Sequence, residues 1–104
     1  MPGNDQTFDD LLGYYAAKAL EARWAVIHQA GLEHRKAGQE LVGSARSSTA
    51  PKRLAWVYRT EAGWTVLVAD QHGRVLQEQQ LDPAHDPRDW FLMVGWYYRD
   101  YRKD

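Results

Sequence analysis

Asp82, His85, Asp86 and Asp89 form the densest group of chemistry-bearing side chains in the sequence. Three carboxylates and an imidazole this close could hold a divalent cation or divide proton transfer between an acid and a base. The same residues have a simpler use. In Asp86-Pro87-Arg88-Asp89, Asp86 suits a helix N-cap, Pro87 the first helical position and Asp89 the third, near the unpaired amides. Capping predicts these residue types at these positions, so we read the group as a helix start.

The other candidates for catalysis are weaker. His28, His34, His72 and His85 share no metal-ligand spacing: six residues separate His28 from His34, which breaks the i, i+4 face of a helical site. Ser44, Ser47, Ser48 and Thr49 do not sit in the G-x-S-x-G setting that activates a serine. No glycine cluster could cradle a phosphate. The chain has no cysteine, which excludes a thiol nucleophile, a disulfide framework and a Cys-ligated metal. We expect neither an enzyme nor a cofactor or metal site.

Binding is the stronger reading. Five Trp and six Tyr are many for the core of a 104-residue chain. Large aromatics with a polar tip are enriched at interfaces, where one end can stay wet. We expect an exposed aromatic surface made by Trp56, Tyr58, Trp90, Trp96, Tyr97 and Tyr101, with Arg99 and Arg102 on its rim. Its partner would be a protein.

Arginine also recurs beside aromatics, in Tyr58-Arg59, Tyr98-Arg99 and Tyr101-Arg102-Lys103. Cations that follow phosphates, with rings that stack on bases, define the alternative, a nucleic-acid-binding module. Lys52, Arg53, Arg59 and Arg74 would then contact phosphates from the sheet. No overall field favours it: 13 Lys and Arg stand against 14 Asp and Glu, a net charge of −1.

The elements that position these residues follow from periodicity. Residues 7–30 read as a helix, with Thr7 as N-cap and Asp9 and Asp10 in the first turn. Phe8, Leu11, Tyr15, Ala19, Ala22 and Val26 form one apolar stripe; Ala16, Leu20, Trp24 and Ile27 form another. A helix on one core needs one stripe. The second implies a further contact, and we expect a homodimer through helix 7–30. Gly31 is a natural stop. Leu32 to Val42 reads as a second, mostly solvated helix or an extension of the first. The stretch from Gly43 to Pro51, rich in serine, reads as a linker.

Leu54 to Arg59, Trp64 to Ala69 and Arg74 to Leu81 read as a three-stranded antiparallel meander. Its turns, Thr60-Glu61-Ala62-Gly63 and Asp70-Gln71-His72-Gly73, each end in glycine. A simple register puts Leu54, Trp56, Tyr58, Val66, Val68 and Leu76 on one face, and Ala55, Val57, Leu67, Ala69 and Val75 on the other. Both faces carry apolar residues, so both should be covered, or one left as a docking surface. An aromatic helix from Pro87 to about Arg102 would close the fold.

The expectation is an α+β fold in one domain over residues 1–104, divided into a helical part 7–43, a linker 44–52 and a part 53–104 holding the meander and last helix. It would be a small non-enzymatic protein-binding module of inhibitor, immunity or adaptor type. The longest apolar run, Trp90 to Tyr98, is far short of the roughly 20 residues that span a bilayer. No secretory leader is visible at the N-terminus. Both favour the cytoplasm and argue against a membrane.

Overall fold

The computed structural model describes the backbone of residues 8–102 and the side chains of residues 18–102. Thr7, and the side chains at Phe8, Asp9, Asp10, Leu11, Tyr15 and Ala16, lie outside the described residues. The chain is α+β. A long helix, α1 (Phe8–His34), precedes β1 (Glu40–Arg46), β2 (Arg53–Thr60), β3 (Gly63–Asp70) and β4 (Val75–Leu81). A short helix α2 (Pro87–Met93) and a last strand β5 (Tyr97–Asp100) follow. The five strands make one antiparallel sheet in the order β4-β3-β2-β1-β5.

The meander is present as β2–β3–β4, but two more strands extend it. The first, β1, occupies residues read from sequence as helix and linker. Its small residues Gly43, Ser44 and Ala45 are buried, and they are small because the layers close over them. A Cβ on Gly43 would collide with the hydroxyl of Tyr98, and the Ser44 hydroxyl meets that of Tyr101 at 2.5 Å. Close packing, not flexibility, explains the composition.

The second, β5, replaces the far half of the expected last helix. Gly95 adopts φ of +81°, a conformation that ends helices and suits glycine. The amide of Trp96 returns to the carbonyl of Phe91 at 3.0 Å, completing the stop. Beyond it, Tyr97-Tyr98-Arg99-Asp100 pairs with β1.

Gly31 does not stop α1. A Cβ there would lie 2.6 Å from Trp56 Cδ1 and 2.9 Å from Leu41 Cδ2. At this glycine the helix backbone packs directly against Trp56 and Leu41. The helix runs on to His34, and Gly38, at φ of +81°, lies in the turn that follows.

Each sheet face carries a helix. Trp24 and Ile27 of α1 pack with Trp56, Tyr58, Leu67 and Ala69. On the opposite face Phe91 of α2 packs with Val42, Ala45, Ala55, Val57 and Val66. The expected division of the β3 residues was wrong by one position. Trp56 pairs with Leu67 and Val57 with Val66, and directly paired residues share a face. Val66 and Val68 therefore join Val57, while Leu67 and Ala69 join Trp56.

The helix α1 runs alongside β2, with Ile27 level with Trp56 and Gly31 level with Tyr58. At about 1.5 Å per helical residue and about 3.3 Å per strand residue, the start of β2 lies level with about residue 20. The helix before that point extends past the sheet end, in keeping with a longest dimension of 60 Å.

Candidate functional site

The helix α2 is anchored at few points. Asp86 caps it by accepting from the amide of Arg88 at 2.9 Å. Pro87 and Phe91, one turn apart, are its buried residues. Phe91 stacks on Tyr98 at a ring separation of 5.8 Å and meets Trp96 at 5.4 Å. With the helix held by one side only, Trp90, Leu92, Met93 and Val94 face outward, and Met93 is 78% exposed.

Between α2 and the outer strands runs an open groove of about 760 Å³. Val66, Val68 and Leu81 form its apolar wall on the sheet, and Pro87, Trp90 and Met93 form the wall on α2. Gln77 and Gln79 offer amides along β4, and His85 and Asp89 also line the groove. The groove exists because α2 has only two turns and covers part of a five-stranded face.

Two carboxylates of the acidic group that opened the sequence reading, Asp82 and Asp86, are engaged locally. Asp82 accepts from the amide of Ala84 at 2.8 Å. Arg102 Nη2 lies 2.8 Å from Asp100 Oδ2 and 3.3 Å from Asp86 Oδ2, and Arg88 pairs with both carboxylates. The hydrogen bond from Arg102 is the main cause that holds the Asp100 carboxyl below the usual range. Among the described residues no three of His, Asp or Glu converge as metal ligands would.

The residues expected to make one aromatic surface are dispersed. Trp56 and Tyr58 are wholly buried, a correction with a clear cause: both serve the seam between α1 and β2. The Trp56 indole donates to the Ile27 carbonyl at 2.8 Å. Tyr101 is half-buried against the ring of His28. Trp96 packs against the Phe91 cluster. Trp90 and Tyr97 are exposed, but they lie on opposite faces of the sheet. Arg99 is bound to Glu21 at 2.8 Å and lies over the Trp24 ring, so neither it nor Arg102 forms a free rim.

Of the cations assigned to phosphate, Arg59 pairs with Glu40 at the far end of β2. Lys52 and Arg53 line a second groove, of about 630 Å³, at the other end. Arg74 starts from the turn that closes that same end of the sheet. Arg23 and Arg46 join Lys52 and Arg53 along this groove, over a floor of Ala19, Ala22, Val26 and Leu54. None of these four lining cations has an ion-pair partner among the described residues. Arg46 lies 4.5 Å from the Tyr97 ring centroid, its Nε buried without an acceptor.

Sequence reasoning missed Leu92, Met93 and Val94, although their position in the apolar run Trp90–Tyr98 marks them as a surplus. It also missed Arg23, although Arg23 stands beside Trp24 in sequence, and it left Arg46 out of the cation set. No helix among the described residues is long and apolar enough to cross a membrane. No family model matches the chain, and neither the curated proteins nor the solved structures give a match.

Proposed function

We propose that the protein is a non-enzymatic protein-binding module whose docking site is the groove between α2 and the β3–β4 side of the sheet. One observation carries the reading. Trp90, Leu92, Met93 and Val94, each 45% or more exposed, occupy four of the five positions 90–94 beside an apolar groove. Contiguous exposed apolar surface of this kind marks interaction sites in soluble proteins. The partner supplies large apolar side chains, and Gln77 and Gln79 supply hydrogen bonds that set register.

The test is a photo-crosslinking residue placed at Met93, with a second at Glu61 on the distant β2–β3 turn as control. A discrete protein adduct formed from Met93 alone, and abolished by Trp90→Ala, supports the site. Equal labelling from both positions, or adducts indifferent to Trp90→Ala, overturns it. The nucleic-acid alternative keeps one supporting feature, the shared groove of Lys52 and Arg53. It is weakened at the sheet, where Trp56 and Tyr58 are buried under α1 and Arg59 is paired with Glu40.

A further inference from the structure

We infer that the cationic groove beside α1 is the seat of a second copy of this chain. In that arrangement α1 pairs antiparallel with its counterpart, and the start of each helix lies in the other copy's groove. Three observations point to it, and none depends on the α2 groove.

The first is an uncovered stripe. The sheet uses the side of α1 that holds Trp24 and Ile27. Ala19, Ala22 and Val26 stay exposed, Val26 at 69%, and they line the groove. By helical spacing, Phe8, Leu11 and Tyr15 continue that same stripe toward the helix start.

The second is self-complementarity. In an antiparallel pair centred on Ala17, position 8 falls opposite 26, 15 opposite 19, and 11 beside 22, one position off the exact register. Each large residue, Phe8, Leu11 or Tyr15, then faces a smaller one, Val26, Ala22 or Ala19. A two-fold axis repeats each of these pairings, as an isologous interface requires. The extension of α1 past the sheet end leaves room for this crossing.

The third is charge. The groove gathers Arg23, Arg46, Lys52 and Arg53 with no carboxylate among its lining residues. Residues 1–17 carry Asp5, Asp9 and Asp10 and no Lys or Arg. A helix start that is acidic and apolar fits a groove that is basic and apolar. The occupant comes from another copy, because α1 is one continuous helix and its own start cannot fold back onto residues 19–27.

The test is a pair of charge reversals followed by size exclusion with light scattering at micromolar concentration. The native chain is expected at twice 12.0 kDa. Asp9→Lys with Asp10→Lys sets like charges against the groove. Arg23→Glu with Lys52→Glu does the same from the other side. Each double variant alone is expected to lose about tenfold or more in self-affinity. Mixed together, they are expected to restore the dimer, since both contacts are then attractive. A native chain that stays at 12.0 kDa overturns the proposal. So do variants that dimerise unchanged, or a mixture that stays monomeric. A native monomer whose groove takes up a fluorescent single-stranded oligonucleotide in a salt-sensitive manner assigns the groove to nucleic acid instead. Should a reversal disturb the near-ultraviolet dichroism of the fold, Asp9→Asn with Asp10→Asn and Arg23→Gln with Lys52→Gln replace it. The neutral changes are then expected to weaken the dimer in the same order.

Discussion

Tyr58 donates its phenolic hydrogen to the main-chain carbonyl of Gly31 at 2.6 Å. The pair ties the middle of β2 to α1 across a wholly buried seam, and Trp56 repeats the device one turn earlier. Tyr58→Phe keeps the ring and leaves a buried carbonyl without its donor. Such a loss costs about 1–3 kcal/mol. Urea unfolding is expected to show that drop with little change in slope.

Gly31→Ala sets two effects against each other. Alanine favours a helix interior over glycine by about 1 kcal/mol. The added methyl meets Trp56 Cδ1 at 2.6 Å, and Trp56 is fully buried, with its indole held by the Ile27 carbonyl. Overpacking a filled site costs about 1–3 kcal/mol, so the net change is destabilising. A lower melting temperature is the expected result; a higher one would show that α1 can lift from the sheet without loss.

Neighbouring residues of α2 should separate core from docking surface. Phe91→Ala removes a wholly buried ring and is expected to cost about 3–5 kcal/mol. Met93→Asp changes an exposed position and is expected to stay within about 0.5 kcal/mol of the native stability. It should nonetheless abolish the crosslinked adduct at the α2 groove, read from a crosslinker moved to Leu92. Loss of stability and loss of binding would thus fall on different residues.

Acid should loosen the C-terminal clasp. Arg102 holds Asp100 below its ordinary value, so the folded state resists protonation there more than the unfolded chain does. That contribution is complete above the unfolded value near 4 and fades as pH falls through the lower folded one. Melting temperature is expected to fall as the pH drops below about 4, and Asp100→Asn should flatten part of that fall.

Alkali should act on the tyrosines. Burial raises Tyr58 and Tyr98 well above the ordinary value, and it also raises Tyr101. A group whose folded value is raised contributes stability up to its unfolded value, about 10 for tyrosine, and loses it above. Phenolate absorbance is expected to rise in two stages, the later one together with loss of near-ultraviolet dichroism.

The parts of the fold legible in the sequence were those with local causes. The glycine-ended turns placed β2, β3 and β4, and Asp86-Pro87 placed the start of α2. Two other glycines were misread because their reasons are not local. Gly31 looks like a stop until Trp56 and Leu41 are seen against it. Gly43 looks like the edge of a linker until Tyr98, more than fifty residues away, lies over it. Gly95 carried a usable signal, a helix stop, which the apolar run around it outweighed. For the candidate site, the surplus of aromatics was legible as a total. Which of them the core would consume was not, because that depends on the strand register. A hairpin that pairs Trp56 with Leu67 decides it.

The strand order sets a condition on how the molecule is made. The final strand pairs with the first, joining Gly43 to Asp100 and Arg46 to Tyr97. A chain emerging from the ribosome can form β2, β3 and β4 as it appears, but the hydrogen-bonding edge of β1 that β5 occupies stays open until Tyr97–Asp100 has emerged. Non-local pairing of this kind slows folding, since the loop must close before the contacts reward it. Any nascent chain cut short near Gly95 would carry an unprotected strand edge, a hazard that β5 removes when it pairs with β1.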